Sequence, residues 1–243
     1  MDAKQHKKIK WYQILLIIFI LLVAATCLYI CNYYHADDTA LEAMKGSETV
    51  TINEIDCGYF FNGPGENNAI IFYPGAKVES EAYAPLLLKI AENNVDVFLL
   101  KSPFHLSIIN ISEADKIIDS GNYSYENWYV SGHSMGGAVA AIYSANNLDK
   151  LSGCIMLAGY PTKSLKSDGF KLLSVYGTND YNPDALQKGS EYRPDEYTEV
   201  VIQGGNHAQF GNYGFQKGDN KADISYEDQQ SQAVNAILNF INN

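Results

Sequence analysis

Residues 132–137 of the chain read Gly-His-Ser-Met-Gly-Gly and stand between an apolar run at 128–131 and an alanine-rich run at 138–145. The first run predicts a buried strand and the second a helix. A serine at such a junction needs a sharp, strained turn, and a Cβ two residues to either side would collide with the strand or the helix. Glycines occupy both of those positions. The pattern therefore predicts Ser134 as an exposed nucleophile above the edge of a sheet.

A serine nucleophile needs a base, and His207 is the candidate. It follows the last predicted strand, in the segment 204–207, Gly-Gly-Asn-His. The other four of the five histidines precede Ser134 in the chain. One of them, His133, stands inside the turn, where its side chain should point away from the serine oxygen. The sequence thus predicts that His207 takes the serine proton.

A carboxylate should orient the base, and Asp180 is predicted to supply it. Residues 172–176, Leu-Leu-Ser-Val-Tyr, predict a buried strand, and Asp180 follows at its carboxyl end. Asp184 lies on the same loop and is the alternative, whereas Asp168 precedes the strand and fits less well. The resulting order of serine, aspartate and histidine is the one expected for a serine on this kind of turn.

Two backbone N–H groups are predicted to bind the negative oxygen that forms during acyl transfer. The first belongs to Met135, directly after the nucleophile. The second should come from the loop after the third strand, residues 74–77, Pro-Gly-Ala-Lys. Ala76 is the preferred donor and Lys77 the alternative, and Gly75 lets the backbone approach the substrate closely.

Strand-like and helix-like runs alternate from residue 48 onwards. This alternation predicts an α/β fold with a mostly parallel, twisted sheet flanked by helices. The predicted strands are residues 49–56, 59–61, 69–73, 95–100, 128–131, 151–158, 172–176 and 198–202, and the predicted helices are 82–93, 112–120, 135–146 and one within 224–241.

Residues 11–31 form an apolar run close to the ~20 residues that a helix needs to cross a bilayer. Four lysines precede the run and aromatic residues stand at both ends. Under the positive-inside rule this predicts a single-pass anchor in the cell membrane with a cytoplasmic N-terminus. The predicted domains are a cytoplasmic tail at 1–10, the anchor at 11–31, a tether at 32–47 and an extracytoplasmic catalytic domain at 48–243. A cleaved signal peptide and a lipoprotein signal are alternatives, and both also export the domain.

The net charge of −11 and the pI of about 4.8 argue against a nucleic-acid partner, whose phosphates require a basic face. No Cys-x-x-Cys pair or Cys/His cluster suggests a metal site, so neither metal nor cofactor is predicted. The predicted partners are a small-molecule or exposed acyl substrate and the membrane. The composition leaves the oligomeric state open.

The chain resembles a known family in four segments, at residues 72–77, 132–137, 176–180 and 204–207. It resembles the α/β-hydrolase superfamily over about residues 49–241, and within it the small, lidless, dienelactone-hydrolase-like group, in a membrane-anchored bacterial subset. The resemblance implies hydrolysis of an ester, thioester or similar acyl bond without metal or cofactor. Members of that group with a cysteine nucleophile are not matched, because position 134 is serine.

Only residues 159–170 separate the sixth and seventh predicted strands, where lids of this fold usually enter. That length is too short for a cap domain and predicts an open, shallow site, unlike that of an interfacially activated lipase. The predicted activity is that of a carboxylesterase-like serine hydrolase acting through an acyl-enzyme. An acyltransferase or amidase with the same triad, or a catalytically silent binding module, remains an alternative.

Overall fold

The computed structural model describes residues 10–243, and the chain divides into two units between Tyr33 and Tyr34. In the first unit, helix α1 (Trp11–Cys31) has 21 residues and buries none of them. At 1.5 Å per residue it is about 30 Å long, which matches the hydrocarbon core of a bilayer. By length and composition this helix is able to cross a membrane. The predicted cytoplasmic tail, residues 1–10, lies outside the described residues apart from Lys10.

The second unit contains one eight-stranded sheet in the order β1-β2-β4-β3-β5-β6-β7-β8. Only β2 runs against its neighbours, and the remaining pairs from β4 to β8 are parallel. All eight predicted strands are present, with ends shifted by a few residues. They are β1 (Thr51–Ile55), β2 (Gly58–Asn62), β3 (Asn68–Tyr73), β4 (Asp96–Leu100), β5 (Asn127–His133), β6 (Gly153–Leu157), β7 (Lys171–Gly177) and β8 (Glu196–Ile202).

Helices cover both faces of the sheet, which explains why its central strands are apolar without alternation. In β3, Ile70 and Phe72 pack into one core with helices α3 and α7, while Ile71 and Tyr73 pack into the other with α4 and α5. The predicted α/β-hydrolase architecture is therefore confirmed. The helices of this unit are α2 (Asp38–Ala43), α3 (Ala84–Ala91), α4 (Asp115–Ile118), α5 (Met135–Ala145), α6 (Pro183–Leu186) and α7 (Tyr226–Asn242).

Most of the segment predicted as a tether, residues 32–47, is folded onto the second unit. Tyr34 forms a parallel bridge with Val78, and its ring lies 5.5 Å from that of Tyr213. Asp37 caps α2 by accepting the N–H of Ala40, whose methyl group is fully buried. The compact unit thus begins at Tyr34 rather than at residue 48. Backbone hydrogen bonds and the packing of Tyr34, Ala36, Ala43 and Met44 against the core both attach the segment to the domain.

The connection between β6 and β7, residues 158–170, contains no helix in the part of the chain that the structure describes. The chain carries no cap domain there, as predicted. A short helix that was not predicted, α6, instead follows β7. Its four residues are too few to give a helical period, so sequence pattern could not reveal it.

Candidate active site

Ser134 occupies the turn between β5 and α5 and has φ 55° and ψ −120°. A left-handed φ is rare for a residue with a Cβ and marks a strained backbone. The flanking glycines make this turn possible. A Cβ on Gly132 would lie 2.3 Å from the carbonyl carbon of Gly136, and a Cβ on Gly136 would lie 2.1 Å from the carbonyl oxygen of Tyr73. Ser134 is half-buried and lines a cavity.

The predicted base and acid lie together. His207 Nδ1 is 2.7 Å from Asp180 Oδ2, and both residues are almost completely buried. In the residues that the structure describes, His207 Nε2 has no hydrogen-bond partner. His207, Asp180 and Ser134 line the same cavity. Without substrate, the hydrogen bond between a nucleophile and its base is often long, and it tightens when substrate binds.

Asp180 is held in place by the loop that follows β7. Its N–H donates to the carbonyl oxygen of Gly177, and its Oδ1 accepts the N–H of Asn182. The second carboxylate oxygen is thereby left for His207. The two other candidates, Asp184 and Asp168, are exposed, and the structure places neither of them at the imidazole.

The two predicted backbone donors belong to the start of α5 and to the loop after β3. Met135 is the first residue of α5, where helix geometry leaves the N–H without an intrahelical acceptor. In the loop after β3, Gly75 N–H donates to Tyr83 Oη and Lys77 N–H donates to the carbonyl oxygen of His105. Between them, Ala76 N–H has no partner among residues 10–243. Of the two candidate donors, Lys77 therefore has its N–H already bonded within the described part of the chain and Ala76 does not.

A second buried carboxylate, which sequence reasoning missed, supports the histidine backbone. Asp219 accepts the N–H of His207 at 3.4 Å and that of Ala208 at 2.9 Å. Burial raises the pKa of the Asp219 carboxyl, while these N–H donors oppose that rise. The only signal in the sequence was the position of Asp219 in the loop that follows His207.

The cavity beside Ser134 has a volume of about 240 Å³. Ser134, His207 and Asp180 are among its lining residues. Tyr181 stands edge-on to the ring of His207, with 4.8 Å between centroids, and is half exposed at the rim. The remaining wall is a mixture of polar and apolar groups from the β6–β7 connection and α6, among them Tyr160, Thr162, Asn182, Ala185 and Leu186.

Three solved structures share this architecture. Est1E from Butyrivibrio proteoclasticus is 15% identical, with a TM-score of 0.56 over 81% of this chain and 100% of its own. An esterase/lipase from an uncultured bacterium is 12% identical, with a TM-score of 0.60 over 84% of this chain and 88% of its own. Carboxyl esterase 2 from the fungus Tuber melanosporum is 11% identical, with a TM-score of 0.56 over 86% and 90%. At such identities the likeness concerns the fold alone.

Comparison with proteins of curated function gives no significant match. The sequence profile of the alpha/beta hydrolase family, by contrast, matches residues 69–231. This region begins in β3 and ends within α7, so it contains the nucleophile turn, the loop of Asp180 and the loop of His207. The chain belongs to the alpha/beta hydrolase family.

Proposed function

We propose that the protein is a serine hydrolase that cleaves an ester or a related acyl bond, with Ser134, His207 and Asp180 as its catalytic triad. The observation that supports this most directly is the buried pair of Asp180 and His207 in one cavity with a serine on a strained turn. Family membership and the esterases among the structural neighbours agree with the proposal.

The chemistry follows from the position of each group. Asp180 accepts the Nδ1 proton of His207, which leaves Nε2 as the acceptor for the serine proton. Ser134 Oγ then bonds to the acyl carbon, and the oxygen that becomes negative is bound by the N–H groups of Met135 and Ala76. His207 returns its proton to the leaving alcohol. Water, activated by the same imidazole, hydrolyses the acyl-enzyme and releases the acid.

The substrate class follows from the size and openness of the site. A cavity of about 240 Å³ accepts one short acyl or alcohol group and leaves the rest of the substrate outside. Est1E has been solved with ferulic acid bound, and this supports a small carboxylic ester as the substrate here. Both features suit the lidless, dienelactone-hydrolase-like group within the family.

Helix α1 is the proposed membrane anchor. It is apolar and buries none of its residues, and the lysines that precede it favour a cytoplasmic N-terminus and a catalytic unit outside the cytoplasm. Alkaline extraction of membranes that contain the full chain tests this. The anchored protein stays in the pellet, whereas a processed, soluble protein would show that the segment is a cleaved signal.

Replacement of the nucleophile tests the activity. Ser134→Ala should abolish both hydrolysis of p-nitrophenyl acetate and labelling by a fluorophosphonate. Ser131→Ala is the matched control, because Ser131 lies in β5 with its Oγ buried and without a partner in the described residues. Hydrolysis that persists in Ser134→Ala would refute the assignment. If a fluorophosphonate labels the wild-type protein but the protein hydrolyses no ester, acyl transfer becomes the better assignment.

A further inference from the structure

A continuous line of hydrogen bonds runs behind the nucleophile, from the loop after β3 to the backbone of the base. Gly75 N–H lies 3.0 Å from Tyr83 Oη. Tyr83 Oη lies 2.9 Å from Nδ1 of His133, and Nε2 of His133 lies 2.9 Å from the carbonyl oxygen of His207. The line therefore joins Gly75, which precedes Ala76, to the backbone of His207 through His133, which precedes Ser134.

The direction of every proton in this line is fixed by its two ends. The carbonyl oxygen of His207 only accepts, so His133 must carry its proton on Nε2. Nδ1 of His133 is then an acceptor and takes the hydroxyl proton of Tyr83. A lone pair of the same hydroxyl accepts Gly75 N–H. A protonated His133 would leave the Tyr83 hydroxyl proton without an acceptor in a buried site, at a cost in free energy.

The line is dry. Tyr83 is 0% exposed and His133 is 1% exposed. Burial raises the pKa of Tyr83 and lowers the pKa of His133 well below its ordinary value, so neither group changes charge near neutral pH. Hydrogen bonds shielded from water hold their geometry more firmly than exposed ones.

The packing around the line leaves little freedom. A Cβ on Gly75 would lie 2.7 Å from Tyr83 Oη and 3.0 Å from His133 Nδ1, so the loop backbone lies directly on these side chains. The ring of His133 is 4.7 Å from that of His207. Movement of either loop relative to the other would break a buried hydrogen bond, which makes the spacing between them costly to change.

We propose that Tyr83 and His133 are positioning residues that set the distance between the Ala76 N–H and the catalytic base. This inference rests on the proposed function, because it assigns the two ends of the line their roles in acyl transfer. Neither side chain contacts substrate. Both act by keeping the oxyanion donor and the imidazole in register with Ser134.

The test is a double-mutant cycle in the full chain with Tyr83→Phe, His133→Gln and the double variant. Gln can still donate an amide N–H towards the His207 carbonyl, but its acceptor, Oε1, does not occupy the ring position of Nδ1 that faces Tyr83. Tyr143→Phe is the matched control, because Tyr143 is equally buried and its hydroxyl donates to Asp115 at 2.6 Å instead of entering the line. Thermal melting shows whether each variant folds. If Tyr83→Phe does not fold, the kcat of His133→Gln compared with that of Tyr143→Phe takes its place as the test, with the same expected and overturning results.

Tyr83→Phe is expected to lower kcat about 10- to 100-fold with little change in KM, because a small misplacement acts on the transition state. Affinity for phenylboronic acid, which mimics the tetrahedral state on the serine, should fall by a similar factor. Because both residues act through one line, the double variant should lose little more than the more damaged single variant. Tyr143→Phe should keep the wild-type kcat even where its melting temperature falls.

Three outcomes would overturn the proposal in an active enzyme. They are an unchanged kcat in Tyr83→Phe, losses that multiply in the double variant, and an equal loss of kcat in Tyr143→Phe. A wild-type protein that neither hydrolyses esters nor reacts with a fluorophosphonate would overturn the proposed function as well, so the two failures are distinguishable.

Discussion

The two sides of the nucleophile differ in how they are built. Behind Ser134, Tyr83 and His133 fill the space completely and satisfy one another by hydrogen bonds. In front of it, a cavity opens between the β6–β7 connection and α6, with Tyr181 exposed at its rim. This difference suggests a division of roles: the buried residues behind Ser134 would set the catalytic geometry, and the cavity in front would select the substrate. Changes behind the serine should alter the rate for all substrates alike, whereas changes in front should alter which substrate is preferred.

Loss of the base should give the largest effect. His207→Ala is expected to lower kcat by about 10⁶-fold for every ester, because no other group accepts the serine proton. Rates with acetate, butyrate and hexanoate esters of p-nitrophenol measure this. A loss restricted to one acyl length would contradict the division between the two sides.

Asp180→Asn should give the next largest effect, about 10⁴-fold in kcat, because the amide favours the wrong tautomer of His207. The fold should survive, since Asn keeps the shape of the side chain. Asp184→Asn is the matched control on the same loop and should keep wild-type kinetics. Equal losses in the two variants would show that the acid has been misassigned.

Leu186→Ala addresses the open side. Leu186 is 4% exposed and lines the cavity, so its truncation enlarges the space for the substrate. The ratio of kcat/KM for hexanoate over acetate should rise about tenfold. Stability should fall by about 2 kcal/mol.

Leu151→Ala provides the control for that change. Leu151 is 6% exposed and packs in the core before β6, away from the cavity. It should lose similar stability and keep the wild-type preference. A shift of preference in both variants would mean that general loosening, and not the cavity wall, sets selectivity.

The smallest effect is a dependence of the free energy of unfolding on pH, which is expected from the buried His133. The pKa of His133 is lowered by burial and by the nearby His207, and Tyr83 offers it a hydroxyl but no charge. Below a pH of about 6.5 the His133 imidazole binds a proton in the unfolded state but stays neutral in the folded state. The free energy of unfolding should therefore fall as the pH drops, by up to about 1.4 kcal/mol per pH unit. Denaturant titrations between pH 7 and 5 measure the slope.

His133→Gln should reduce that slope because it removes the titrating group. The buried carboxyls Asp96 and Asp219 have a raised pKa, and an acid of this kind loses its contribution as the pH rises. The ordinary pKa of an aspartate lies well below that of a histidine, and both aspartates are present in the wild type and in His133→Gln. The difference between the two slopes therefore reports on His133. Identical slopes would show that the imidazole is protonated without cost.

Much of the fold could be predicted from the sequence because its signals are local. The strands of the sheet are continuous apolar runs, and the turn at Ser134 needs glycines at fixed positions. Asp180 and His207 could be chosen because each follows a strand, and parallel strands end at one edge of the sheet. The segment from Tyr34 to Ala43 is harder to predict, because its contacts are with residues distant in the chain: Tyr34 donates its N–H to Lys77 and accepts that of Glu79, and Asp37 donates to Asn212.

The candidate serine, histidine and aspartate follow from local sequence signals alone, and so does the apolar helix that precedes an α/β domain. Folding decided which of the two candidate N–H groups, that of Ala76 or that of Lys77, is already bonded, because the carbonyl oxygen of His105 accepts the one on Lys77. It also decided what His133 does, because an imidazole in a motif becomes part of a hydrogen-bonded line only when Tyr83 is folded against it. The physical reason is that residue type fixes which bonds a group is able to make, whereas folding fixes which partners come within reach.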